Sequence, residues 1–178
     1  NFSVGVGGKF IYSNLASNQS VNGSEIQSGI AGAADISFLY KIPMEGYYKN
    51  NLNIGLSLRN LGSKISYVEG RSFFIPANIG LGVAYEANFD EYNKITLTTD
   101  INKLMVPTPQ VDTAKAAESM DANSLQSWFN SFSDAPGGFR EELRELTWSF
   151  GAEYWYADQF AVRAGYFYES PLKGNRKY

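Results

Sequence analysis

The stretch that decides the fold is Leu146–Glu169, LTWSFGAEYWYADQFAVRAGYFYE. Its first half sets Trp148, Phe150, Tyr154 and Tyr156 on even positions against Thr147, Ser149, Gly151 and Glu153 on odd ones. Its second half sets Val162, Tyr166 and Tyr168 against Arg163, Gly165 and Glu169. A period of two marks strands, over about Leu146–Tyr156 and Phe160–Tyr168. Facing residues of antiparallel strands share a side, so their numbers must sum to an even value here. A three-residue loop, Ala157-Asp158-Gln159, meets that condition, sets Tyr156 opposite Phe160, and lays Glu153 opposite Arg163 as a charge pair on the polar face.

The same alternation recurs upstream. Strands are predicted over about Phe2–Tyr12, Ile30–Ile42, Leu52–Asn60, Ala77–Phe89 and Lys94–Asn102. That makes about seven, in the antiparallel, up-and-down manner. Parity gives a second three-residue loop, Asp90-Glu91-Tyr92, and brings Asp35 close to Arg59. Connections alternate between short and long, so one end of the sheet is trimmed and the other decorated. The longest runs from about residue 103 to 145.

An alternating strand buries its apolar side in a soluble sandwich or turns it to lipid. Two features favour lipid. The polar face is rich in Gly, Ser and Thr with paired charges, which suits a crowded lumen. Aromatic residues gather near strand ends (Tyr12, Tyr40, Tyr47, Tyr48, Phe89, Tyr92, Tyr156, Phe160, Tyr166, Tyr168), as in the girdles of an outer-membrane barrel. The fold class expected is therefore all-β, an antiparallel up-and-down transmembrane β-barrel. Seven strands do not close such a barrel, because its strand number is even and an open edge in lipid leaves backbone groups unpaired. With Asn1 in place of Met, the chain is expected to be part of a longer, processed protein, residues 1–178 forming part of one barrel domain.

Composition narrows the chemistry. There is no cysteine and no histidine, which removes disulfides, thiolate zinc sites and histidine-based triads. With 15 Lys+Arg against 18 Asp+Glu, no nucleic-acid surface is implied. Gly5–Phe10, GVGGKF, fails the P-loop pattern because Ser3 and Phe10 stand where Gly and Ser/Thr are needed. Lys9 reads instead as a lumen charge in need of a partner. The inward carboxylates Asp35, Glu86, Asp100, Glu153 and Glu169 read as a salt-bridge network with Arg59 and Arg163, not as an acid–base pair. No catalytic, cofactor or metal residue is assigned, and no enzyme is expected.

The long connection begins where Pro107 and Pro109 stop a strand. Asp121 is placed to cap a short helix across ANSLQSWFNSF, with Leu125, Trp128, Phe129 and Phe132 on one stripe. Trp128, Phe129, Phe132 and Phe139 are the candidate partner contacts, the competing reading being that the stripe packs on the loop's own base or plugs the barrel mouth. Asp112-Thr113-Ala114 matches a short O-glycosylation pattern with Thr113 as acceptor, and Asn18 and Asn22 head N-glycosylation sequons.

Several segments carry a family resemblance: FSVGVGGKFIYSNLAS, NIGLSLRNLGSKISY, FIPANIGLGVAYE, DINKLMVPTP and, above all, Ser133–Tyr178. They resemble the PorV (LptO) family of the Bacteroidetes type IX secretion system over nearly the whole chain. The resemblance implies a FadL-like barrel of about fourteen strands when complete, of which this chain covers half. The N-terminal segment and closing strands would then be missing. It implies an outer-membrane location with the long loops extracellular, no cofactor, and a shuttle role without catalysis. The implied partners are the translocon barrel SprA (Sov), the C-terminal signal domains of secreted cargo, and PorU, PorQ and PorZ of the attachment complex. The alternative is a FadL-like channel for hydrophobic solutes, which calls for an apolar lumen where a polar one is read.

Overall fold

The computed structural model describes residues 1–15, 20–21, 24–46, 48–110, 112–174 and 176. Tyr47 and the sequons at Asn18 and Asn22 lie outside the described residues. In chain order the elements are β1 (Phe2–Ser13), β2 (Ser20–Val21), β3 (Ser24–Glu25), β4 (Gly29–Pro43), β5 (Asn51–Gly62), β6 (Ile65–Val68), β7 (Arg71–Phe73), β8 (Asn78–Asn88) and β9 (Asn93–Leu104). There follow α1 (Thr113–Asp121), α2 (Ser124–Asn130), α3 (Phe139–Arg144), β10 (Thr147–Tyr156) and β11 (Phe160–Tyr168).

Seven strands form one antiparallel sheet in the order β1-β4-β5-β8-β9-β10-β11, with β1 and β11 at its edges. β2–β3 and β6–β7 are small hairpins within the long connections. Each long strand matches an expected one, its ends differing by at most two residues: β1, β4, β5 and β9 run longer, β8 and β10 shorter, and β11 is as expected. The registers follow the parity argument: Tyr156 faces Phe160, Glu153 faces Arg163, and Asn88 faces Lys94 across the Asp90–Tyr92 loop. Ala157 and Asp158 take positive φ in the tight β10–β11 loop. The Ala157 N–H donates to Tyr92 O at 2.6 Å, tying two trimmed-end loops together.

One register departs from simple parity. A bulge lies between Ala34 and Ile36 of β4, where Arg59 and Asn60 of β5 together oppose Asp35. Asn60 adopts φ 55°, a left-handed conformation that asparagine tolerates. The extra residue returns Leu61 to the apolar side, opposite Ala34.

The two sheet faces differ in kind. On the apolar face, cross-strand rows such as Leu58–Ile79 and Leu56–Leu81–Ile101 run side by side. Most of that face is uncovered: Val6 is 80% exposed and Phe10 77%, and Leu81, Leu97, Phe150 and Val162 are exposed as well. A water-soluble sheet of this size would bury such a face under a second layer. On the polar face, glycines lie beside larger polar residues of the next strand. A Cβ on Gly5 would stand 2.6 Å from Ser37 Oγ, and one on Gly80 2.6 Å from Asn102 Oδ1. The polar side chains lie down across those gaps.

The buried apolar cluster is small and sits at the decorated end. Ile65, Ile75 and Tyr67 of the β5–β8 connection pack on Ile11, Ala31 and Ala33, which share the polar-face parity. The β6–β7 hairpin thus folds over the polar side of the sheet end. The sequence gives little warning of it, because each strand has four residues or fewer.

Candidate interaction surface at the decorated end

The connection from β9 to β10 builds the most distinctive surface of the molecule. Its three helices are short. Asp112 caps α1, its side chain accepting from the Ala114 N–H at 2.9 Å. Thr113 is therefore the first helical residue, and it is exposed. Asn123 caps α2 by accepting from the Gln126 N–H at 2.7 Å. The expected cap, Asp121, instead closes α1. Both Asp and Asn can cap, and the break between α1 and α2 decides which one does.

α2 and the turn after it are inside out. The residues they bury are Ser127, 1% exposed, and Ser131, fully buried. Their hydroxyls donate back to the carbonyls of Ser124 and Trp128. The large apolar residues face away: Phe129 is 75% exposed, Phe132 about half, Leu125 likewise exposed, and Trp128 half-buried. α3 repeats the inversion, with Glu142 buried while Phe139 is 77% exposed and Leu143 is exposed. The sequence stripe is real, but it is the outer side of the segment.

A buried ionic clasp holds this arrangement. Lys103 stands on the apolar-face parity of β9, opposite Ile79, and is 5% exposed. Its ammonium donates to Glu142 Oε2 at 2.9 Å and to Glu145 Oε2 at 2.6 Å. Its Nζ also lies 5.8 Å from the centre of the Phe132 ring. Glu142 Oε1 accepts from the Ala135 N–H at 2.9 Å. Lys173, beyond β11, donates to Glu141 at 2.7 Å and Glu145 at 2.9 Å. Thr108 Oγ1 lies 2.9 Å from Asp134 and 2.8 Å from Glu145, its one proton serving either.

Burial works against ionisation of Glu145, but hydrogen bonds from Lys103, Lys173 and Thr108 outweigh it and hold its carboxyl below the ordinary range. Glu141 is lowered chiefly by Lys173. Burial opposes the charge of Lys173 as well, and its two glutamates keep its pKa above the ordinary value. Asp134, Glu142 and Glu145 are the one carboxylate group among the described residues close enough to share a cation. Lys103 and Lys173 already supply positive charge there, so the cluster reads as an ion-pair clasp.

The other expected charge pairs lie on the polar face. Glu153 and Arg163 are ion-paired through Nε and Oε2. Asp35 and Arg59 lie close enough to interact electrostatically but form no direct ion pair. Asp35 pairs with Lys9 at 2.7 Å and accepts from the Asn60 N–H at 2.8 Å. Arg59 donates to Asn78 and Asn102 at 2.9 and 2.8 Å. The bulge is the cause, since Asn60 then takes the place beside Asp35 and Arg59 points to the next strand. Lys9 thus has the partner its position required, and it also donates to Asn60 Oδ1 at 2.8 Å.

Three of the concavities around the decorated end and the sheet bear on function. A groove of about 280 Å³ runs between Phe132, Phe139, Leu143 and Leu146 of the connection and Ile79, Leu81 and Ile101 of the apolar sheet face. A second, about 440 Å³, lies between the β6–β7 hairpin and α1, with Phe73, Phe74, Pro107 and Met120 among its walls. The largest, about 610 Å³, lies on the polar face and includes Arg59, Asp100 and Asn102. Among the described residues no helix is long and apolar enough to cross a membrane, which says nothing against crossing by strands.

The family described as type IX secretion system protein PorV matches residues 1–111, more than half of the 178-residue chain. The match ends before α1, so the inverted helices lie beyond it. No curated protein matches the chain.

Proposed function

Since the chain belongs to the PorV family of type IX secretion system proteins, we propose that it is part of a non-catalytic outer-membrane adaptor that carries secreted cargo between stations of that system. The observation that carries this reading is the apolar face of the seven-stranded sheet, which exposes large apolar side chains on every strand from β1 to β11. Lipid is the solvent that such a face suits, and a closed barrel of about fourteen strands is the way to span a bilayer with no open edge. In this proposal residues 1–178 supply about half of that FadL-like barrel. The decorated end, with the connection of residues 105–146, faces the outside of the cell.

The adaptor receives the C-terminal signal domain of a cargo protein at the SprA (Sov) translocon barrel. It then delivers the cargo to the attachment complex of PorU, PorQ and PorZ. Trp128, Phe129, Phe132 and Phe139 are proposed contacts with whatever lies beside the barrel, because their connection flanks the apolar sheet face. The groove lined by Phe73, Phe74 and Met120 opens between the two connections and suits the cargo domain itself. Thr113, exposed at the start of α1, is accessible as a glycosylation acceptor. The channel reading has less support, since the polar-face groove carries Arg59, Asp100 and Asn102 where a hydrophobic solute would need apolar walls.

The test is purification of the full-length native protein in mild detergent, followed by identification of what stays bound. A very large barrel or cargo bearing its signal domain is expected. A partner-free protein that instead takes up hydrophobic solutes in reconstituted vesicles would reverse the choice.

A further inference from the structure

We infer that the outward side of α2 and α3 is an interfacial lipid-binding surface. Phe129, Phe132, Phe139 and Leu143 seat at the headgroup–acyl boundary beside the barrel wall, with Arg140 and Arg144 at phosphate level. The inference rests on the reading that the apolar sheet face meets lipid, and it says what the long connection does there.

Three independent observations lead to it. First, the polarity of the segment is inverted. Ser127, Ser131 and Glu142 are buried while the rings and Leu143 are exposed. In water the opposite arrangement minimises free energy, so the outer side is built for an apolar neighbour. Second, the surface is continuous with the sheet wall, since Phe132, Phe139 and Leu143 share one groove with Ile79, Leu81 and Ile101. Whatever solvates that wall also reaches these side chains. Third, the charge that α3 presents is positive. Its acids are used internally, Glu141 by Lys173 and Glu142 by Lys103. Arg140 and Arg144 are exposed and have no ion pair among the described residues. They follow Phe139 and Leu143 by one position each, so an apolar row runs beside a guanidinium row. Aromatic rings with flanking arginines suit an anionic membrane surface, where the charged heads reach phosphate while the stems stay among lipid.

A soluble protein partner would account for exposed rings, but it does not account for their continuity with the strand wall. The buried Lys103 clasp adds a reason for rigidity: it fixes the connection against the wall and so sets the depth at which the rings lie.

These 178 residues hold no cysteine, so once any cysteine elsewhere in the full-length protein is replaced by serine, single-cysteine spin labels report cleanly. In the full-length protein, Phe129→Cys and Phe139→Cys would be labelled after reconstitution into vesicles of phosphatidylcholine and phosphatidylglycerol. Leu97→Cys on the sheet wall and Lys115→Cys on α1 serve as references, and heat-modifiable gel migration confirms folding. The measurement is collision with oxygen relative to a water-soluble nickel chelate. Labels at 129 and 139 are expected to give a ratio several-fold above that at 115, approaching that at 97. A water-like ratio at 129 and 139 with a lipid-like ratio at 97 overturns the lipid seat and leaves the barrel reading standing. A water-like ratio at 97 as well overturns both. Shielding from both reagents that appears only when the translocon is added overturns it in favour of a protein partner.

Discussion

Two connections leave the same end of the sheet and bury opposite chemistry. The β5–β8 connection turns onto the polar face and packs Ile65, Tyr67 and Ile75 against Ile11, Ala31 and Ala33. The β9–β10 connection lies along the apolar face and, besides the small apolar contribution of Met105 and Ala135, buries Lys103, Glu142, Ser127 and Ser131, leaving Phe129, Phe132 and Phe139 outside. Each segment hides the kind of group that its own side of the sheet would not solvate. On a water-lined side, apolar groups are the ones to hide. On a lipid-lined side, charges and hydroxyls are, because burying them unpaired costs several kcal/mol. The contrast is what the proposed lipid-facing apolar side calls for, and it is read without reference to any relative.

The largest effect expected to break the contrast comes from Lys103→Met. It leaves Glu142 and Glu145 as buried carboxylates without their main cation, at a cost of about 3–5 kcal/mol. The loss falls on the connection and not on the sheet, whose ladder does not depend on that side chain. Limited proteolysis of the folded protein should show new cleavage within residues 131–146, with the β6–β7 hairpin as protected as before. Equal protection in the variant would mean that the clasp contributes little and that the connection is held by its rings.

Lys103 also marks what the sequence could and could not reveal. Strand existence and the two tight loops were legible, because a period of two and an even sum of facing numbers leave one answer. The same arithmetic places Lys103 on the row of Ile95, Leu97 and Ile101, a cation on an apolar face that demands a buried acid. Its partners are Glu142 and Glu145, and a connection without strand parity does not say which of its acids reaches β9. The Asp35–Arg59 pairing failed for a different reason, since a bulge changes parity by one residue and no local signal in Leu58–Gly62 announces it beyond Asn60, a residue tolerant of positive φ. The aromatic stripe at Leu125, Trp128, Phe129 and Phe132 was legible as a face. Whether that face points in or out is decided by the medium, and helical spacing carries no information about the medium.

A smaller effect is expected on the other side of the comparison. Ile65 is 7% exposed within a cluster of few residues. Ile65→Ala should cost about 2 kcal/mol, the low end for such truncations, because a small cluster at a sheet end can collapse around the gap. Hydrogen exchange should quicken at the amides of β6 and β7 and leave α3 unchanged. If both connections loosened together, they would be one cooperative unit, and their opposite chemistry would no longer report two separate solvents.

The smallest effect concerns α2. Seven residues are too few for a helix stable on its own, and the face it buries contributes only serines, so little apolar burial supports it from within. Its N-cap therefore matters in proportion. Asn123→Ala removes the acceptor for the Gln126 N–H and should cost about 1 kcal/mol, read as faster exchange at that amide. Asp121→Ala should leave the same amide unchanged, because Asp121 ends α1 and caps nothing in α2. The pair of variants is also sensitive to the medium. In detergent-free lipid vesicles, rings seated at the membrane boundary would hold α2 independently of its cap, and the Asn123→Ala effect should shrink relative to lipid-poor micelles. An effect of the same size in both media would show that the rings bear none of the helix's stability, and the outer side of the connection would then have to be explained by something other than the solvent it faces.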